Sequence, residues 1–244
     1  MKAAIIGYGK MGHAVERFLQ ERGHEIVARI DADNQEELNG EAFASADVAI
    51  EFSQPSQAVA NYRAAFEAGV PVVSGTTGWT VAMPEVKAML ESTGATLLWT
   101  SNFSIGVNLF MNLNRHLAAL MERFPQYQAA MEEIHHIHKL DHPSGTAISL
   151  AEGIIASDKA YTGWTETASL DEPAPAGEVG IAHKREGEVP GTHIIRWKSP
   201  VDQITLEHKA FSRDGFALGA VMAAEWVVAS GRKGLLTMHD FLQL

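Results

Sequence analysis

An apolar run, Ala3-Ala-Ile-Ile6, leads into the glycine-rich turn Gly7-Tyr8-Gly9-Lys10-Met11-Gly12. An amphipathic segment, His13–Arg22, follows and stops at Gly23. Glu25–Ile30 reads as a second strand, with Asp31 at its end. Strand, G-x-G-x-x-G turn, helix, strand and acid in that order predict a dinucleotide-binding unit. The glycines allow a tight turn and close approach of a pyrophosphate, and the carboxylate is placed to accept ribose hydroxyls. The glycine turn alone also suits an ordinary strand–helix junction that needs small residues; the order of the elements favours the nucleotide reading.

The alternation continues through the first hundred residues. Asp47–Phe52, Val70–Val73 and Ala95–Thr100 read as strands, and Pro55–Ala68 and Pro84–Ser92 as helices. Two small-residue loops, Ser74–Trp79 and Ser101–Gly106, follow strand ends, the edge of a doubly wound sheet where ligands sit. In the second loop Phe103 is either a stacking platform for a nicotinamide ring or core. A long apolar-faced helix, Ile105–Phe124, leaves this unit.

After Pro125 the pattern changes. A strand to His138, a helix over Thr146–Ser157 and a polar loop or lid over Asp158–Glu178 are expected. Strands at Val179–Lys184, Thr192–Trp197 and Gln203–Ala210 follow, joined by short turns, which implies a mainly antiparallel sheet. The apolar helix Phe216–Ser230 and a short element, Leu235–Leu242, end the chain. The fold class is therefore α/β: a Rossmann-type doubly wound parallel sheet over 1–103 and 216–244, plus a second α+β domain over 104–215. Hinges are expected near Ser104 and Asp214. The second sheet needs cover on both faces and one helix covers only one, so self-association through it is expected.

The densest chemistry lies in Glu133-Ile-His-His-Ile-His-Lys-Leu-Asp-His-Pro-Ser-Gly-Thr-Ala147. Four histidines (His135, His136, His138, His142), Lys139, Glu133 and Asp141 stand before a Pro-Ser-Gly-Thr turn. Imidazole suits proton transfer near neutral pH, and a lysine near other cations or partly desolvated shifts toward the same range. Ser144 is a natural N-cap, and the amides at that helix start attract an anion. On an extended strand His135 and Lys139 lie about 13 Å apart, so both reach one substrate only if the chain turns. Zinc on His136 and His138, with Asp141 or His208, and a plain solvated loop are the alternatives; the spacing fits no metal signature, and no metal is assigned.

The chain has 244 residues, no cysteine and a formal net charge of −11. These exclude a disulfide framework and a thiol nucleophile, and they argue against a nucleic-acid binder. Neither a signal segment nor a run of about eighteen apolar residues is seen, so no membrane partner and a cytoplasmic location are expected.

On three segments the sequence resembles the bacterial 4-hydroxy-tetrahydrodipicolinate (dihydrodipicolinate) reductases: Gly7–Gly12, Ser74–Gly78 with Asn102–Asn108, and Glu133–Ala147. Pro190–His193, His208–Arg213 and Phe216–Ala220 also look like family blocks. The resemblance implies NAD(P)H-dependent reduction of a small cyclic dicarboxylate in lysine and diaminopimelate biosynthesis. It implies His135 and Lys139 as proton-transfer groups, with His136, Ser144, Gly145 and Thr146 holding substrate carboxylates. The cofactor would lie across Gly7, Tyr8, Gly9, Lys10, Met11, Gly12, Asp31, Gly75, Thr76, Thr77, Thr100, Ser101, Asn102 and Phe103, with Arg213 nearby. A homotetramer assembled through the substrate domain is also implied.

Three departures stand out. The glycine finger is one residue shorter than in many members, and Thr100-Ser101 replaces a more usual Ala-Pro. Ala32 follows Asp31 where some members carry an arginine for the 2′-phosphate of NADPH. A carboxylate without a guanidinium repels that phosphate, which favours NADH; Lys10 and Arg29 could soften the preference. Competing readings are another two-domain NAD-dependent oxidoreductase acting on a small amino or hydroxy acid, and a non-catalytic dinucleotide sensor or metal-binding regulator.

Overall fold

Along β1 (Lys2–Ile6) Ala3 and Ile5 face one side and Ala4 and Ile6 the other, and all four are buried. A strand apolar on both faces needs helices on both, the mark of a parallel α/β sheet. The structure, a computed structural model, describes all residues Met1–Leu244. They divide into two compact units, Met1–Ile105 with Asp214–Leu244, and Gly106–Arg213. The divisions lie two residues from the expected ones, where the helices α5 and α7 begin.

In the first unit β1 is followed by α1 (Lys10–Glu21), β2 (Glu25–Ile30), the short α2 (Glu41–Ala44), β3 (Val48–Glu51), α3 (Pro55–Glu67), β4 (Val72–Ser74), α4 (Met83–Thr93) and β5 (Thr96–Trp99). In the second come α5 (Ile105–Met121), β6 (Gln128–His135), α6 (Gly145–Ser157), β7 (Gly163–Thr167), β8 (Glu178–Arg185), β9 (Thr192–Lys198) and β10 (Gln203–Lys209). The chain then returns to the first unit with α7 (Asp214–Ser230), β11 (Gly234–Leu236) and α8 (Met238–Leu242).

The first sheet runs β2-β1-β3-β4-β5-β11, all parallel. One face carries Ile6, Phe43, Tyr62, Phe66, Trp79 and Leu90, drawn largely from α3 and α4. The other carries Ile5, Val15, Leu19, Ile50, Val221 and Val227, from α1 and α7. The final expected element resolves into β11 and α8, and β11 completes the sheet beside β5. Strand order reverses between β1 and β3, because the chain goes from β1 out to β2 and then crosses to β1's other side. In such sheets the crevice at the carboxyl ends of those two strands is the ligand site.

The second sheet runs β10-β9-β6-β8-β7. It is mixed: β10–β9 and β9–β6 are antiparallel, β6–β8 and β8–β7 parallel. Met131, Ile181, Ile195 and Trp197 form one buried face with Ala147, Leu150 and Ile154 of α6 and Phe110, Ala118 and Met121 of α5. Strand β6 stops at His135, not His138. Beyond that point β8 has ended and β9 has not begun, so an extended chain would leave its backbone unpaired. The backbone instead turns, with the Ile137 amide on the Gly187 carbonyl at 3.1 Å and the Lys139 amide on His136 at 3.1 Å. The expected loop 158–178 likewise contains a strand, β7, recruited by pairing with β8. No helix is long and apolar enough to cross a membrane.

Candidate functional site

Gly7 has φ +88°, and a Cβ there would lie 2.1 Å from the Phe52 carbonyl oxygen; one on Gly12 would lie 2.4 Å from the Gly7 oxygen. Both glycines are required by packing of the turn on itself and on β3. Gly9 differs: a Cβ there meets nothing within 4 Å. It stands at the N-cap of α1, which has no side-chain cap and no acid in its first turn. Unopposed amides at a helix start, facing open space, fit a pyrophosphate. A pocket of about 290 Å³ lies there, at the strand-order reversal, lined by Gly7, Gly9, Asp31, Ala32 and Gln35 and by Phe52–Gln54 with Gln57. Exposed Asp31 and the glycine turn thus share one hollow, as a ribose and pyrophosphate require. Arg29 gives Glu16 two hydrogen bonds, at 2.9 and 2.6 Å, so its guanidinium is held by a carboxylate of α1.

The remaining cofactor candidates are spread differently. Lys10 is exposed at the start of α1, Met11 is partly buried, and Tyr8 donates to Glu16. Gly75, Thr76 and Thr77 follow β4, with Thr77 exposed. Thr100 Oγ1 accepts from the Asn102 amide at 3.1 Å, and Ser101 is exposed. None of these later loop residues lines the glycine pocket. Phe103 is only 2% exposed and meets Phe52 edge-on at 5.8 Å, so its ring is core and not a stacking platform.

Beneath these loops sits a residue that sequence reading passed over. Glu51, fully buried at the end of β3, accepts from Ser74 Oγ at 2.6 Å, Thr76 Oγ1 at 2.9 Å and the Ser53 amide at 3.0 Å. The Ser53 amide is shared with Thr76 Oγ1 at 2.9 Å. One carboxylate therefore joins the Ser74–Thr77 loop to the pocket wall. As an acid in an apolar strand Glu51 was visible in the sequence, but its ring of hydroxyls comes from other strands.

In the second unit the row His193–Glu133–His183 is set by register, since Glu133 pairs with His193 on β9 and His183 on β8. Glu133 is fully buried, with Oε2 3.3 Å from His135 Nδ1 and 3.8 Å from His193 Nε2. Oε1 accepts from the Ser144 amide at 3.0 Å and from Arg185 at 3.2 Å. Burial alone would raise its pKa; the His135 imidazole and Ser144 outweigh that and hold it down to about 2. Burial, then repulsion from His135, pushes His193 down to about 4. The buried acid is thus charged and faces a neutral His193 and a His135 whose ring lies 5.2 Å from that of His193.

Ser144 caps α6 as its residue type predicts: Oγ accepts from the Ala147 amide at 3.2 Å, and its carbonyl takes the Ile148 amide at 3.0 Å. That leaves the Gly145 and Thr146 amides at the helix mouth. Nothing lies within 4 Å of a Cβ built on Gly145, so the mouth is open. The signature stretch scatters its other groups. Lys139 bonds Asp141 at 2.8 and 2.6 Å, His138 meets Glu188 at 3.0 Å and His136 meets Arg213 at 3.2 Å. His136 and His138 lie beyond the end of β6, so no strand face joins them, although their rings stand 5.9 Å apart. Arg213 belongs to the second unit, on His136. Arg185 went unnoticed in the sequence, yet it bonds Glu133 and the Lys139 and Asp141 carbonyls, the latter two at 3.1 and 2.6 Å.

The family model described as "Dihydrodipicolinate reductase, N-terminus" matches residues 1–103, and that described as "Dihydrodipicolinate reductase, C-terminus" matches 106–242. A 4-hydroxy-tetrahydrodipicolinate reductase of Christiangramia forsetii is 43% identical over 243 residues, covering 99% of this chain and 98% of the relative. One from Archaeoglobus fulgidus is 33% identical over 261 residues, covering both chains fully at 100%. A dipicolinate-bound dihydrodipicolinate reductase from Paenisporosarcina sp. TG-14 shares the fold, with a TM-score of 0.80 at 21% identity over 99% of each chain.

Proposed function

The chain belongs to the dihydrodipicolinate reductase family, and on that premise we propose that it reduces 4-hydroxy-tetrahydrodipicolinate to tetrahydrodipicolinate in lysine and diaminopimelate biosynthesis, with His135 and Lys139 as its proton-transfer groups. It is an NAD(P)H-dependent oxidoreductase, and the bound nicotinamide supplies the hydride. The observation that carries the reading is the buried Glu133–His135 pair under the open mouth of α6. The Gly145 and Thr146 amides, with the Ser144 cap and His136, hold substrate carboxylates at a helix start that favours negative charge. Glu133 orients the His135 ring and stabilises its protonated form, and Lys139 supplies a second proton beside it.

NADH is favoured over NADPH. Asp31 stands in the glycine pocket beside Ala32, and Arg29, the nearby guanidinium, is held by Glu16. We place the enzyme in the cytoplasm as a homo-oligomer, a tetramer through the second sheet. Supporting this, Ile134 and Ile194 on the face away from α6 remain part-exposed.

The test is oxidation of NADH and NADPH at matched concentrations, with substrate made in situ by the synthase that precedes this step. Turnover with NADH at least equal to that with NADPH supports both reaction and preference. Turnover with NADPH alone keeps the reaction and removes the preference; none with either removes the reaction.

A further inference from the structure

Lys139 stands on a segment with few holds of its own. Strand β6 has ended at His135, and Leu140, the residue after Lys139, is 91% exposed, so no apolar packing fixes the turn there. What reaches this segment is Arg185, the last residue of β8. It pairs with His135 in the parallel register of β6 and β8, so its side chain leaves the sheet on the face that carries His135 and Glu133. That side chain is 18% exposed and donates to four acceptors. Nε bonds the Lys139 carbonyl at 3.1 Å, and Nη1 the Lys184 carbonyl at 2.8 Å. Nη2 bonds the Asp141 carbonyl at 2.6 Å and Glu133 Oε1 at 3.2 Å.

We infer that Arg185 is the residue that positions Lys139 for proton transfer. Its guanidinium ties the Lys139 loop to the carboxylate that holds His135, and so fixes the two proton-transfer groups relative to each other. The inference rests on the roles proposed above for His135 and Lys139. Glu133 serves both sides: Oε2 faces His135 Nδ1 at 3.3 Å, and Oε1 takes Arg185. On the loop side the hold is double. The Asp141 carbonyl accepts from Arg185, while the Asp141 carboxylate accepts from Lys139 Nζ at 2.8 and 2.6 Å. Arg185 therefore fixes the backbone of Lys139 directly and the end of its side chain through Asp141.

The arrangement calls for arginine. Two loop carbonyls and a buried carboxylate are met at once by donors set in one rigid plane, whereas a lysine ammonium is a point charge on a flexible stem. Arg185 acts through Lys139 and is a positioning residue. Holding a proton donor to within a fraction of an ångström matters because a misplacement of about 1 Å can lower turnover about 10²-fold.

The test is Arg185→Lys in the full chain, which keeps the charge and loses the fork. Its kcat, taken per NADH-binding chain, should fall about 10²-fold. KM for substrate and NADH affinity should stay as in the native chain, because the Ser144 amide still holds the α6 mouth to Glu133 and the glycine pocket lies in the other unit. Unchanged kcat per NADH-binding chain overturns the inference, and so does a variant that no longer binds NADH, whose defect is one of folding. A second readout does not pass through turnover. Acetylation of Lys139 by N-hydroxysuccinimidyl acetate, followed by peptide mass spectrometry against Lys159, whose side chain is 94% exposed, should be faster in Arg185→Lys than in the native chain. If the native chain turns over neither cofactor, the proposed reaction fails while this rate still reports on the loop. An unchanged rate overturns the hold of Arg185 on Lys139 whatever the chain catalyses.

Discussion

The Ser144 amide donates to Glu133 Oε1 at 3.0 Å, tying the first residue of the α6 cap to the buried acid of β6. The open mouth of α6 and His135, whose Nδ1 lies 3.3 Å from Oε2, therefore meet on one carboxylate.

That carboxylate and His193 make stability acid-sensitive in two stages. His193 drops from 6.5 to about 4 on folding, so the unfolded chain takes up its proton first and stability falls as pH drops from 6.5 through about 4. Glu133, lowered from 4.5 to about 2, adds a further loss as pH falls from 4.5 toward 2. The His193 stage is on the order of 3 kcal/mol. Urea denaturation across this range should show the slope, and His193→Gln should flatten its upper part; an unchanged slope would remove His193 from the account.

His135→Gln should lower kcat by about 10²- to 10⁴-fold while NADH affinity stays within twofold or so. Lys139→Met should also lower kcat. Stopped-flow turnover beside equilibrium NADH titration checks both, and a loss confined to NADH binding would contradict the assigned roles.

Within the glycine turn, two substitutions should part company. Gly12→Ala drives a Cβ onto the Gly7 oxygen at 2.4 Å and should cost at least about 2 kcal/mol in folding stability. Gly9→Ala meets nothing within 4 Å, so folding should be unaffected while NADH affinity falls. Equal melting temperatures for the two variants would refute the distinction.

Replacing Ala32 by arginine, together with Asp31→Ser, should move preference toward NADPH, since a guanidinium then faces the 2′-phosphate. The ratio of kcat/KM for the two cofactors reports it. If the ratio does not move, Asp31 does not read the ribose.

Glu51→Gln places an amide NH₂ among groups that already donate: the Ser53 amide, Ser74 Oγ and Thr76 Oγ1. We expect a loss of about 1–3 kcal/mol in stability and weaker cofactor binding through the displaced Ser53–Gln54 wall. Retention of both in calorimetry and NADH titration would reduce Glu51 to a spectator.

The sequence by itself determined the local items. Short continuous apolar runs separated by helices set the doubly wound sheet, the Gly7–Gly12 turn marked the pocket at the strand-order reversal, and Ser144 announced its own helix cap, because each depends on neighbours a few residues away. The Glu133–Ala147 string also contains the buried acid, His135 and the α6 cap that the fold brings together. Its partners were another matter. His193 and His183 lie fifty or more residues from Glu133 and meet it only through the register of β9, β6 and β8. The end of β6 at His135 was decided by where its neighbours stop, and β7 exists because β8 offers an edge to pair with. Glu51 acquires its hydroxyls, and Arg185 its carbonyls, by the same long-range closure. Pairing across a sheet is paid for in loop entropy and rewarded only in the finished fold, so tertiary structure alone could choose those partners.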